Sequence, residues 1–293
     1  MHALLVTVYV VAAVVTAAYV FFLRSQGQFT GNGGTRETSP SKGTPGGEIV
    51  LTGFFAPLGQ LVGSVSPFTN KVETYLRFAG LPFRTQNGGF ADAPKGRLPW
   101  MKHGSDVVAD SRFMIKYLQN TYGSHLKIQE PDDPQLQGVS ITIQRMCEEH
   151  MYFTQQYHRM INPKAERWFR NQLFKDAPAW KSLLTLYLFR YGRSTQLRYQ
   201  GVLTNSDEDI NFLINEDLRA LSGLLADNPY FLGPNPTLAD ASAFGTLENY
   251  LYDGNEASPI PAMVRKYPNL VRFVDSIRAR FYADKLNKQG KAQ

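Results

Sequence analysis

Three short phrases in fixed order constrain this chain more than anything else in it. They are Ser66-Pro67-Phe68-Thr69, opening a run that continues to Arg77; Gly96-Arg97-Leu98-Pro99-Trp100; and Val107-Val108-Ala109-Asp110-Ser111. Ser66 before a proline reads as a helix start, because a serine hydroxyl caps a free N–H and the fixed φ of proline suits the first turn. Val72, Tyr75, Leu76 and Ala79 then recur at i, i+3, i+4 and i+7, one apolar face, and Gly80 stops the helix. Upstream, residues 48–54 form a β-branched and aromatic run that reads as a strand. Downstream, residues 82–86 read as a second strand and 87–97 as a Gly/Pro-containing loop. Residues 98–102 and 106–109 read as a hairpin around Gly104, and Met114, Tyr117, Leu118 and Thr121 mark the next helix face. The order is β-α-β-loop-β-β-α.

From residue 132 onward the pattern turns helical. Leu136, Val139, Ile143, Met146, His150, Phe153, Tyr157 and Met160 alternate at spacings of three and four, which predicts a buried seam on one long helix. Further helices are expected near 179–191, 207–226, 238–252 and 266–282, giving an all-helical second domain. Thr237-Leu238-Ala239-Asp240 has the form of a capping box, so Thr237 and Asp240 are given a structural role.

At 293 residues, 43% hydrophobic and 13% aromatic, the chain has enough material for two modest domains with real cores. The formal net charge is +6, the basic residues read as scattered, and no nucleic-acid signature exists beyond charge. Cys147 is the only cysteine and no glycosylation sequon is present, which fits a reducing compartment. Residues 3–23 are 21 residues without a charge, long enough as a helix to span roughly 30 Å, a bilayer core. A cleaved signal peptide competes, but no basic residue precedes the run. Arg24, Arg36 and Lys42 follow it, so a single-pass membrane protein with a cytosolic body is expected. The expected organisation is an anchor at 1–24, a flexible linker at 25–47, domains at 48–123 and 124–283, and a basic tail at 284–293.

The three phrases in their order resemble the thioredoxin-like half of the glutathione transferases. The wording is more similar still to the failed axon connections family, a relative of the metaxins. Two later phrases agree: Tyr230-Phe231-Leu232-Gly233 through Asp240-Ala241, and Glu148-Glu149-His150 with Tyr152 and Phe153. The resemblance covers residues 48–282. It implies an α/β thioredoxin-like N-terminal domain plus an all-α C-terminal domain, and the anchor reading sets a single transmembrane helix before them.

The resemblance also implies roles. Ser66 would stabilise the thiolate of glutathione at a helix N-terminus; the ordinary reading is a plain N-cap. Thr69 stands where relatives often carry cysteine, so it cannot form a mixed disulfide, though it can donate to a thiolate; the ordinary reading is a small helix-surface residue. Leu98 would pair with the cysteinyl backbone beside a cis Pro99; the ordinary reading is an edge-strand proline. Asp110 and Ser111 would hold the γ-glutamyl ammonium and carboxylate; the ordinary reading is a cap. Lys95 and Arg97 would pair with the glycyl carboxylate; the ordinary reading, which is favoured, is a solvated loop. His150 reads as a buried, hydrogen-bonded histidine without a metal, and Tyr152 and Phe153 as helix packing or a pocket wall.

The expected function is a membrane-anchored, glutathione transferase-like protein that binds glutathione as substrate and conjugates it to apolar electrophiles in detoxification or stress. The alternative is a non-catalytic adaptor that binds a protein partner at a membrane, and a third reading is ligand sequestration. Expected partners are glutathione, an apolar electrophile, the membrane through the N-terminal helix, and a protein partner or a second copy. No metal and no nucleic acid are expected.

Overall fold

The computed structural model describes residues 47–55, 59–90, 92–173 and 179–289. The first half runs β1 (Ile49–Gly53), α1 (Pro67–Ala79), β2 (Phe83–Asn87), β3 (Trp100–His103), β4 (Asp106–Ala109) and α2 (Ser111–Tyr122). The four strands form one sheet in the order β2-β1-β3-β4, with β1 parallel to β2 and antiparallel to β3, and β3 antiparallel to β4. As an interior strand, β1 is buried along its whole length. The apolar face predicted for α1 is buried as expected, and Gly80 ends the helix in the left-handed region at φ 70°, its N–H on the carbonyls of Arg77 and Leu76.

The opposite face of α1 is polar and equally buried. Thr69, Asn70, Lys71, Glu73 and Thr74 are all shielded from water, because the helical half covers this face. That half begins with α3 (Pro134–Arg145), which continues without a break through π-helical Met146–Met151, α4 (Tyr152–Gln156) and π-helical Tyr157–Ile161. The remainder is α5 (Glu166–Leu173), α6 (Ala179–Tyr199), α7 (Asp207–Leu225), α8 (Leu238–Tyr252), α9 (Ile260–Val264), α10 (Pro268–Phe281) and α11 (Ala283–Gln289).

The two π-helical stretches alter the predicted seam. Of the predicted line, Ile143, Phe153 and Tyr157 are buried, but Leu136, Val139, Met146, His150 and Met160 are only half-buried, and Cys147, Met151, Gln155 and Arg159 are deeply buried beside Ile143 instead. A π turn takes more residues than an α turn, and the buried line accordingly advances by four residues at each step.

α8 joins the halves. Every residue from Ala239 to Leu251 is buried, and Gly245 lies against the first turn of α1. A Cβ at Gly245 would stand 2.7 Å from the Pro67 carbonyl oxygen and 3.1 Å from the Lys71 nitrogen. The end of the chain is docked as well. Asp284 of α11 pairs with Arg77 at 2.8 Å and Lys285 with Glu73 at 2.6 Å, so this part of the basic tail is not a solvated end.

The expected fold class needs one correction. The described chain is a thioredoxin-like domain followed by an all-helical domain, and among the described residues no helix is long and apolar enough to cross a membrane. α6 has the length, at 21 residues, but Lys181, Arg190, Arg193 and Arg198 interrupt it. Residues 3–23, on which the expected anchor falls, lie outside the described residues. The transmembrane helix, the membrane-anchored function, the membrane partner and the single-pass localisation are therefore withdrawn.

Candidate functional site

The register of the sheet brings the three sequence phrases to one end. Thr52 lies opposite Trp100, and Trp100 opposite Ala109. The C-terminal ends of β1 and β4 thus flank the N-terminal end of β3, placing Leu98-Pro99 beside Gly53 and Asp110. α2 starts directly from β4 at this end. α1 starts here too: the loop before it is tied to β1 by the Ser64 hydroxyl, which donates to the Phe54 carbonyl at 2.5 Å. Two helix N-termini with their free N–H groups therefore face one region, an arrangement that favours an anion.

Ser66 is the N-cap of α1, extended at φ −98°, yet its side chain makes no capping bond. Its backbone N–H donates to the Ser64 hydroxyl at 3.1 Å. Thr69 is 0% exposed, packed so tightly under Gly53 that a Cβ there would come within 2.4 Å of its methyl. The Thr69 hydroxyl has no hydrogen-bond partner among the described residues.

The Leu98-Pro99 bond is cis, with Leu98 half-buried and Pro99 buried. Pro99 leads into an interior strand, not an edge. Asp110 is the N-cap of α2 and takes φ 79°, in the region disfavoured for a residue with a side chain. Its carboxylate accepts from the Arg112 N–H at 2.9 Å. Ser111, the first residue of α2, is buried. Lys95 sits over the exposed Phe113 ring at 4.8 Å.

Phe68 meets Tyr152 edge to face with ring centroids 4.9 Å apart, and Tyr152 meets Phe153 at 5.0 Å. This aromatic step begins two residues from Ser66. His150 is half-buried, not fully buried, and bonds Asp217 at 2.5 Å, a hydrogen bond that raises its pKa. Thr237 and Asp240 lie apart from the sheet end, at the start of α8. The Asp240 carboxylate accepts from the Thr237 N–H, the Thr237 hydroxyl and the Phe231 N–H at 2.7–2.8 Å. Burial nevertheless pushes its pKa up to about 6. Cys147 is buried and its thiol is pushed up by burial, so it is not a reactive thiolate.

Sequence reasoning missed the residues that hold the site from the helical half. Glu248 accepts from the Val62 N–H at 2.8 Å, from the Asn70 amide at 3.2 Å and from Arg278 at 2.9 Å. Burial pushes its pKa up to about 7 against these donors. The Asn249 amide donates to the Ser64 carbonyl at 3.1 Å, and Arg159 donates to the Val65 carbonyl at 2.8 Å while pairing with Asp253 at 3.1 Å. Lys71, 1% exposed, pairs with Glu148 at 2.5 Å, and the same carboxylate takes Arg112 at 3.1 Å. The helical half thus grips the loop before Ser66 and the first turns of both site helices. Glu148 lies in a phrase that carries the family resemblance, but nothing in the local pattern marks it or the others as partners of the site, because they lie 36 to 186 residues away. Among the described residues no cluster of His, Cys, Asp and Glu has the make-up of a metal site.

Comparison with known proteins agrees with this geometry. Residues 67–165 match the glutathione S-transferase N-terminal domain, and residues 214–277 the glutathione S-transferase C-terminal domain. The chain is similar to an isoprene-epoxide–glutathione S-transferase of Rhodococcus sp., at 26% identity over 80% of this chain and 99% of that protein. It is also similar to failed axon connections of Drosophila melanogaster, at 28% identity over 76% of this chain and 56% of that protein. Among solved structures, a β-etherase of Sphingobium sp. has the same fold, with a TM-score of 0.56 and 17% identity over 82% of this chain and 99% of that one.

The two matched domains and the fold together define a glutathione S-transferase-like protein. More narrowly, the chain is related to failed axon connections and, at 22% identity over 73% of this chain and 81% of that protein, to metaxin-2 of Homo sapiens.

Proposed function

We propose that this protein binds glutathione at the end of the sheet and presents its thiolate to an apolar electrophile. One observation carries the reading: Asp110 is held at φ 79° where α2 begins, beside Leu98-Pro99. A left-handed aspartate costs about 1–3 kcal/mol, a strain typical of ligand clamps. In this reading the strain turns the Ser111 N–H toward a carboxylate at the helix start. The Ser111 N–H and hydroxyl take the γ-glutamyl carboxylate, and the Asp110 carboxylate takes the ammonium. The Leu98 backbone runs alongside the cysteinyl residue as an added strand would.

Ser66, whose hydroxyl is not used as a cap, donates to the sulfur and favours the thiolate over the thiol. The thiol proton leaves to water. The sulfur then forms a bond to the electrophilic carbon as that carbon's bond to its leaving oxygen or halide breaks. The Phe68–Tyr152 step supplies an apolar wall for the electrophile. Thr69, buried and without a thiol, gives no route to disulfide exchange.

The test is calorimetric titration of glutathione into the 293-residue chain and its Ser111→Ala variant. Binding in the micromolar to millimolar range is expected. Ser111→Ala should weaken it about tenfold, since a hydrogen bond to a charged group contributes ~1.5–3 kcal/mol. A folded wild type that gives no heat with glutathione refutes the reading and leaves the adaptor function in its place.

A further inference from the structure

We infer that the outward face of α6 docks an acidic, amphipathic helix from a protein partner. α6 lies between residues 67–165 and 214–277, so neither matched family domain includes it. The segment 163–199 holds eight lysines and arginines against two acids. Its net of +6 equals the formal excess of the whole chain, so the rest of the protein is balanced. The charge is concentrated where sequence inspection finds it scattered.

The same segment exposes large apolar side chains. Leu183, Tyr187 and Tyr191 are 49%, 66% and 57% exposed, and they recur at i, i+4 and i+8 on one side of the helix. Arg198, exposed, falls seven residues beyond Tyr191 on the same line. The strip runs about 22 Å from Leu183 to Arg198. Leu188 and Tyr199 are exposed beside it. Tyrosines and arginines of this kind supply the anchors of protein interfaces.

Shape and charge select the occupant. A strip one residue wide along a helix matches the apolar ridge of a second helix. Arg190 is already paired with Glu166 at 3.3 Å, but exposed Arg198 on the strip and the formal +6 of residues 163–199 call for acids flanking that ridge. A second copy of this chain would bring one segment of formal net charge +6 against another. Insertion into a bilayer would bury Arg198, which stands on the strip itself and not behind it.

The test uses the full chain and a stapled synthetic helix of about 18 residues, roughly five turns, with leucine along one face and glutamate elsewhere. Fluorescence anisotropy should show binding that a lysine-for-glutamate version of the peptide lacks. The double variant Tyr187→Asp/Tyr191→Asp and, separately, Arg198→Glu should each weaken it about tenfold. These positions are exposed, so thermal unfolding and the glutathione titration should not change. Three results overturn the inference, outright or in favour of a membrane: equal binding of the charge-inverted peptide, undiminished binding by both variants, or wild-type flotation with phosphatidylserine vesicles that Tyr187→Asp/Tyr191→Asp abolishes. A fourth, a concentration-dependent dimer in sedimentation that the double variant abolishes, overturns it in favour of self-association.

Discussion

Glu248→Ala is expected to lower stability by about 3–5 kcal/mol, the cost of breaking a buried ion pair from one side. The glutamate is 0% exposed, and its loss strands the buried Arg278 guanidinium without a countercharge. It also leaves the Val62 N–H and the Asn70 amide without their acceptor. An unsatisfied buried group adds ~1–3 kcal/mol of its own. The effect is directional, because Val62 and Asn70 bracket the loop that delivers Ser66. Denaturant unfolding should show a lower midpoint at nearly unchanged slope. A change within about 0.5 kcal/mol, the range of ordinary surface substitutions, would mean that α8 does not hold this loop.

Gly245→Ala sets two effects against each other. Intrinsic propensity favours alanine over glycine inside a helix by about 1 kcal/mol. Packing opposes it: the new Cβ would stand 2.7 Å from the Pro67 carbonyl oxygen, which belongs to the backbone and cannot swing away. Overpacking of this kind costs about 1–3 kcal/mol, so net destabilisation is expected where propensity alone predicts a gain. α1 must move off α8 to accommodate the methyl, and Ser66 begins α1. Glutathione affinity of the folded variant should therefore fall as well. A more stable Gly245→Ala protein with intact affinity would show that the two helices are not in close contact.

Both predictions concern residues whose role cannot be read locally, whereas much of the rest can. The stripe Val72, Tyr75, Leu76 and Ala79 has a helical period because it packs within its own half, and Gly80 and Gly104 mark turns through their backbone freedom alone. The phrases Leu98-Pro99 and Asp110-Ser111 are legible for the same reason: each is a local backbone device, and the register of the sheet then sets them side by side. The other face of α1 misleads. Thr69, Asn70, Lys71, Glu73 and Thr74 have the composition of a solvent face, yet each is at most 1% exposed. Several of their partners, Glu148, Glu248, Tyr282 and Lys285, come from distant parts of the helical half.

The seam from Leu136 to Met160 holds at Ile143, Phe153 and Tyr157 and fails at its other positions for a different reason. Its spacing assumes a regular α-helix, and π-helical turns at Met146–Met151 and Tyr157–Ile161 rotate the buried line onto Cys147, Met151, Gln155 and Arg159. Residue types do not announce a π turn. Net charge misleads as well when taken over the whole chain, since the excess belongs to residues 163–199.

The most direct test of the central claim is a crystal structure of the protein with glutathione. The predicted pose has the γ-glutamyl carboxylate on the Ser111 N–H, the cysteinyl backbone along Leu98 and the sulfur facing the Ser66 hydroxyl. Glutathione bound elsewhere, or no bound peptide in crystals grown at saturating glutathione, would contradict it.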